Sequence, residues 1–463
     1  MRTTFETEIL KEILPTPEDV RETEEMGRRL IDAVYEAAQV PAMMTGSVAR
    51  GTWVRGDKDI DIFMLFPPEL DRESLQEEGL RAAYAVVEKF HGTAAEKYAE
   101  HPYLNAVIDG YDVDLVPCYH VASTAEMKCA VDRTPFHTRY LKERIAPLKE
   151  DVLLLKRFCK AGGVYGSDHM TGGFSGYLCE LLTLYYGGFS EVLNAAVSVF
   201  RPKTVIDIER YYPDVKVPAK LFAEPFIVID PTDKTRNVAA AVTLTKYAEF
   251  CELARAYLQN PGMQFFTIPQ QDTVSREEFA AAVRQRGTAF AAVAFATPEL
   301  VPDTVVPQLK KSLESIRTML EDAEFTVIRT GYFMGPDESV LMLELRSMDL
   351  PAFTVREGPP VWNPENASRF VAKYGSTDSP FAGPWIQDGR WYTETPRKYT
   401  SAVSLLNDKQ KLLSAALGKH VRLAVEDTYR VLVNDEIWSP AVAGFLGQYL
   451  ANRAAVIRKT HEH

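Results

Sequence analysis

No paired cysteines, no long apolar run and no excess of positive charge are present in this 463-residue chain. Each absence excludes a class of function. Cys118, Cys129, Cys159, Cys179 and Cys251 are dispersed with no CxxC spacing, which argues against structural zinc and a disulfide framework and for buried reduced thiols. The longest purely apolar stretches, such as Ala289 to Ala296, are far shorter than a membrane span, and the opening MRTTFETEILKE has no apolar signal core. A cytoplasmic protein with no membrane segment is therefore expected. A formal net charge of −12 opposes indiscriminate nucleic-acid binding, although local recognition depends on where Lys and Arg cluster. Such clusters occur at Arg397-Lys398, Lys409 to Lys411, Lys419 to Arg422 and Arg453 to Lys459, each by default a solvated surface. Low-complexity tracts and internal repeats are also missing. With 46% hydrophobic and 25% charged residues the composition is globular, and the length predicts about two to four domains.

What is present lies first at residues 46 to 63, GSVARGTWVRGDKDIDIF. Gly46 and Ser47 predict a turn whose bare N–H groups and hydroxyl can approach a triphosphate, because no bulky side chain blocks them. Asp59 and Asp61 then alternate with Ile60 and Ile62, so both carboxylates project from one face of a strand whose other face enters the core. Adjacent carboxylates repel unless a cation lies between them. Mg²⁺ fits, since it takes one or two carboxylates with phosphates and water. An Asp-x-Asp strand alone is commonly a solvated edge, but the Gly-Ser turn precedes it at the distance expected in the DNA polymerase beta-like nucleotidyltransferase superfamily, which the segment resembles. Thr45 is a mild departure, since that pattern prefers an apolar residue there.

Thr16-Pro17-Glu18-Asp19 predicts a capped helix to about Ala38, and a second helical stretch runs from about Arg72 to Phe90. Asn105 to Ile108, an Asp109-Gly110 turn and Tyr111 to Pro117 read as a hairpin completing a small α+β sheet. Its returning strand carries Asp112 and Asp114 on one face, and periodicity does not choose between them as the third metal ligand. From about Pro147 the pattern is helical through Leu153 to Phe158 and Gly176 to Phe189. A Pro/Asp-rich break at Phe226 to Asp233 precedes a helix from Ala239 to about Leu258. Strands are expected at Ala289 to Ala296, Glu324 to Thr330 and Ser339 to Arg346, with a helix at Val306 to Asp322. Pro351 to Pro396 reads as a loop-rich aromatic segment before a helical end.

The segments HPY (101–103), VDLVPCY (113–119), AVDRTPFH (130–137), GFSGYLCELL (173–182), IDPTDKTRNVAA (229–240) and GRWY (389–392) closely resemble the archaeal-type, class I CCA-adding enzymes. The resemblance spans essentially the whole chain, is most specific within residues 43 to 240, and weakens after about 260. It implies an α+β multidomain fold with a polymerase beta-like nucleotidyltransferase head (1–146), a helical neck (147–260), an α+β body (261–359) and a tRNA-binding tail with C-terminal helices (360–463). The implied activity is template-independent addition of C, C and A to the 3′ end of tRNA from CTP and ATP, with Mg²⁺ as cofactor and pyrophosphate released.

By the same resemblance Asp114 is the third metal ligand beside Asp59 and Asp61, and Asp112 a solvated neighbour. Gly46, Ser47 and Arg50 face phosphates, Thr134 and His137 lie beside the nucleotide, and Tyr165 contacts it. Lys156, a cation among Leu153, Leu154 and Phe158, either snorkels to water or pairs with a triphosphate. Arg236 and Asn237 are the candidate base readers, against an alternative in which Arg236 pairs with Asp230 or Asp233. Met170 to Gly173 departs from the family, where a basic residue can precede Gly-Phe-Ser-Gly-Tyr. The family also implies a homodimer and contacts with the acceptor stem and corner of tRNA. Competing readings are a poly(A) polymerase-like or oligoadenylate-type transferase, because the head does not set the substrate, and a catalytically silent RNA-binding protein.

Overall fold

Thr16 closes a capping box at the start of the helix Pro17–Ala38: its hydroxyl accepts from the Asp19 N–H at 3.1 Å, and the Asp19 carboxylate accepts from the Thr16 N–H at 2.8 Å. Met26, Leu30, Ala33 and Val34 recur at helical spacing on this helix and are buried. The computed structural model that contains it describes residues 2–98, 100–269, 273–375 and 381–461. The chain divides into two units, Met1–Gln270 with Arg453–His463, and Gln271–Asn452.

In the first unit β1 (Ala42–Thr45), β2 (Asp59–Phe66), β3 (Thr93–Tyr98), β4 (Pro102–Ile108) and β5 (Tyr111–Tyr119) form a sheet ordered β1-β2-β5-β4-β3. Strands β2 and β5 pair in parallel, and every other pairing in this sheet is antiparallel. The β4–β5 hairpin turns at Asp109 and Gly110, whose φ of 49° and 80° are the left-handed conformations an Asp-Gly turn supplies. Sequence reading did not find β3, whose residues Thr93, Ala94 and Ala95 carry little strand signal and lie exposed at the sheet edge. The helices Pro17–Ala38 and Arg72–Lys89 add Leu30, Val34, Leu75 and Val86 to the core, which Ile60, Ile62, Val113 and Leu115 fill from the strands.

The helical part of this unit comprises Lys149–Ala161, Gly176–Tyr186, Phe189–Ser198 and Leu244–Gln259. Phe158, Phe174, Phe189 and Phe250 share its core. A small sheet of β6 (Thr204–Ile206), β7 (Phe226–Asp230) and β8 (Asp233–Asn237) lies beside these helices in sequence. The expected break at Phe226 to Asp233 is thus a buried strand and a tight return. A continuous Phe-Ile-Val-Ile run fits a strand hidden on both faces. The chain re-enters this unit at its end, where the helix Ala455–His461 lays Ala455 and Val456 against the helical core and Lys459 donates to the Thr267 carbonyl.

The second unit contains β9 (Ala289–Ala296), β10 (Val327–Met334), β11 (Glu338–Leu345) and β15 (Arg430–Val433), ordered β10-β11-β9-β15. The helix Pro302–Asp322 buries Val305, Leu309, Ile316 and Leu320 in its core. Pro351 to Pro396, expected to be loop-rich, instead forms β12 (Phe353–Pro360), β13 (Trp385–Gln387) and β14 (Arg390–Pro396), ordered β12-β14-β13, with the helix Pro364–Tyr374. Pro359 and Pro360 close β12, Pro384 precedes β13 and Pro396 ends β14, positions at strand ends where a missing N–H is tolerated, and they obscured the pattern. Residues 376–380 of that segment lie outside the described residues.

Candidate active site

The parallel register sets Asp59 opposite Asp112 and Asp61 opposite Asp114, on strands about 4.8 Å apart. Asp61 and Asp114 are half-buried, whereas Asp59 and Asp112 are exposed. Burial raises the Asp61 carboxyl, and the Asp114 charge adds to this; the group is pushed up to about 6 despite the pull of Arg50. Burial also raises Asp59 and Asp114. One further residue completes the group. Asn105, in register with Asp114 on β4, donates its amide to the Asp114 Oδ1 at 2.7 Å and also to Asp112. It was not singled out from the sequence, although a two-residue Asp-Gly turn fixes it opposite Asp114.

The Gly46-Ser47 segment is the first turn of a short helix, Gly46–Arg50, instead of an open turn. Gly46 has φ +68°, and a Cβ there would lie 1.8 Å from the Asp61 Oδ2. No other residue fits so close to the carboxylate. Thr45 pairs with Asp61 across β1 and β2 and is buried, its hydroxyl without a hydrogen bond among the described residues.

Ser47, Arg50, Asp59, Lys156 and Tyr165 line one cavity of about 200 Å³. The Lys156 Nζ, on a buried residue, donates to the Thr52 carbonyl at 2.9 Å and stands 3.8 Å from Glu180. Arg50 donates from Nε to Glu180 at 3.0 Å and from a terminal nitrogen to the Thr138 hydroxyl at 3.3 Å, and Thr52 donates to the same Glu180 carboxylate. Burial works to raise Glu180, but the Arg50 and Lys156 charges outweigh it and hold the carboxyl below its ordinary value. Glu180 was passed over within GFSGYLCELL, where a lone carboxylate among Leu and Cys at helical spacing was the available signal.

Asp230 anchors the remaining residues. His137 Nε2 lies 2.8 Å from its Oδ2, Arg236 donates to the same oxygen at 2.8 Å, and the Thr232 N–H and hydroxyl donate to Oδ1. Burial opposes ionisation of Asp230, but the His137 hydrogen bond and these donors hold it well below the carboxylate range. The carboxylate is therefore acceptor-only, and His137 donates through Nε2. Burial lowers His137 as well, which leaves the ring neutral near pH 7. Tyr177 stacks on it at 4.0 Å with a 19° tilt. Thr134 is the first residue of the helix Thr134–Leu141, three positions before His137.

Asn237 departs from the expectation of a base reader. Its Oδ1 accepts from the Val228 and Ala239 N–H groups, and its Nδ2 donates to the Phe226 carbonyl, so its amide ties β7 to β8. It is buried with no polar atom to spare.

All three carboxylates are hard oxygen donors, and Gly46 leaves a cradle at Asp61 that a Cβ would fill. Among the described residues no three His, Cys, Asp or Glu side chains form a ready cage for an ion.

Three family models match in chain order. They are a nucleotidyltransferase domain at residues 28–145, a tRNA nucleotidyltransferase second domain at 150–267, and a CCA-adding enzyme C-terminal domain at 286–434. A CCA-adding enzyme of Methanoregula boonei is 46% identical over 99% of this chain and 97% of its own. The chain belongs to the CCA-adding enzyme family. A CCA-adding enzyme of Methanosarcina acetivorans is 41% identical over 93% of each chain. A solved cytoplasmic RNA terminal U-transferase is 14% identical, covering 57% of this chain and 98% of its own with a TM-score of 0.46. As in the nucleotidyltransferases at large, a CCA-adding enzyme uses divalent metal. No helix among the described residues is long and apolar enough to cross a membrane.

Proposed function

We propose that this chain adds C, C and A to tRNA 3′ ends from CTP and ATP, as its family membership implies, by joining the nucleotide α-phosphorus to the RNA 3′-hydroxyl and releasing pyrophosphate. The observation that carries the reading is Gly46 pressed against Asp61, itself in register with Asp114. Asp59, Asp61 and Asp114 are the residues to hold Mg²⁺, and Asn105 fixes Asp114. When bound, the metal supplies charge neutralisation at the triphosphate and activates the hydroxyl.

Ser47, Arg50 and Lys156 supply a hydroxyl and two cations to phosphates, and Tyr165 closes the same cavity. His137, neutral and held by Asp230, has Nδ1 left to meet the nucleotide, with Thr134 beside it. Arg236 is partly exposed, and its guanidinium keeps donors beyond the one given to Asp230, which supports it as the base-edge reader. The division at 1–146, 147–260, 261–359 and 360–463, binding of the tRNA acceptor stem and corner by the last part, a homodimer and a cytoplasmic location complete the proposal.

The test is incubation with tRNA lacking its 3′ CCA and each nucleotide alone, then both, followed by sequencing of the 3′ ends. Two cytidines and then one adenosine are expected. Homopolymeric A tails would overturn the assignment.

A further inference from the structure

Glu180 is a carboxylate with no exposed surface, on a helix whose neighbouring Leu178, Cys179, Leu181 and Leu182 are all buried. An isolated charge in such a place is costly, so what surrounds it decides its role. One oxygen accepts from the Arg50 Nε at 3.0 Å and from the Thr52 hydroxyl, and the Lys156 ammonium stands 3.8 Å away. Three chain segments therefore converge on one anion: the helix after Gly46, the loop that follows it and the helix Lys149–Ala161. Both cations line the cavity assigned above to the triphosphate, whereas Glu180 does not.

We propose that Glu180 is a positioning residue that sets the phosphate-binding cations: it fixes the Arg50 guanidinium through Nε, while the Thr138 hydroxyl holds one terminal nitrogen and the second is left to meet phosphate, and it places a counter-charge beside the Lys156 ammonium before any nucleotide is bound. The proposal rests on the cavity being the triphosphate site. Two bare cations in this cavity would repel each other and lack solvent, and a single buried carboxylate beside them offsets part of both penalties before substrate arrives. The effect is preorganisation, because the cations need not be ordered or protonated at the moment of binding.

The groups acting most strongly on Lys156 are Glu180 and Cys179 from the following helix, Arg50 from the short helix Gly46–Arg50 and Asp57 from the loop before β2, and Asp59, Lys160 and Tyr165 line the same cavity. Burial lowers the ammonium below its ordinary value, and Glu180 is the largest influence raising it again. Replacing Glu180 by Gln keeps an acceptor of the same shape and removes the charge, so Lys156 then loses its proton at lower pH. A triphosphate meets a neutral amine above that point.

The experiment measures KM for CTP and ATP from about pH 7 to about pH 9 for the wild type, Glu180→Gln, Lys156→Arg and the Glu180→Gln/Lys156→Arg pair. In Glu180→Gln the ratio of KM to the wild-type value is expected to climb about tenfold or more across that range, the loss of one charge-assisted contact, with kcat changing less. Pairing it with Lys156→Arg, which stays protonated, should flatten the ratio. A KM ratio independent of pH in Glu180→Gln, or an equal climb in the pair, overturns the proposal. Glu180→Asp, retracted by one methylene, should lie between wild type and Gln, and it carries the same test should Gln fail to fold: a flat ratio overturns the proposal there too. Wild-type CCA ends in the same assay keep this outcome separate from the assignment of function. If Lys156→Ala leaves KM unchanged, it is the triphosphate site that fails.

Discussion

Gly46→Ala is the most direct probe of the geometry at Asp61. An alanine at φ +68° pays backbone strain of about 1–2 kcal/mol. The new methyl would lie 1.8 Å from the Asp61 Oδ2, so the carboxylate must withdraw by about 1.6 Å before ordinary contact at 3.4 Å is restored. Displacement of a reacting group by ~1 Å costs about 10²-fold in rate. The expected result is kcat for CMP incorporation reduced at least ~10²-fold with tRNA affinity little changed, read by steady-state kinetics and filter binding. Gly110→Ala is the control, because Gly110 has φ +80° with nothing within 4 Å of its Cβ position. It should lose comparable stability by thermal melting while keeping kcat within about threefold. Equal kinetic loss in both variants, or a Gly46→Ala enzyme within about threefold of wild type, would refute the argument.

Asp61→Ala and Asp114→Ala should each lower turnover at least ~10²-fold, whereas the exposed Asp112→Ala should stay near wild type; equal collapse at 112 and 114 in a primer-extension assay would reverse the choice of third ligand. Arg236→Ala is expected to disturb the choice between CTP and ATP in sequenced 3′ ends, while Asn237→Ala should cost stability of about 1–3 kcal/mol by orphaning two N–H groups and leave that choice intact. Asp230 is held below its unfolded value, so its contribution to stability is present above about pH 4 and is lost as pH falls through the folded value. Asp230→Asn should therefore flatten the acid limb of a Tm-against-pH curve, and an unchanged limb would place the acid sensitivity elsewhere.

Local signals were the legible ones. Thr16 to Asp19 carries its own capping box, Asp109-Gly110 its own turn, and Asp59-Ile60-Asp61-Ile62 its own alternation, so none of these needed a distant partner to be read. What was missed depended on pairing across the chain. Asn237 and Arg236 look equally polar in sequence, and only the β7–β8 return turns one amide inward. Glu180 reads as an oddity in a leucine-rich helix until Arg50 and Lys156, distant in sequence, come to meet it. The exposed strand β3 had too little apolar pattern to distinguish it from a loop.

The return of Ala455–His461 to the first unit makes that unit the last to be finished. A ribosome must translate all of Gln271–Asn452 before it can deliver the residues that Ala455 and Val456 contribute, a delay on the order of tens of seconds. Until those residues arrive, the face of the helical core against which Ala455 and Val456 pack has no cover from this helix.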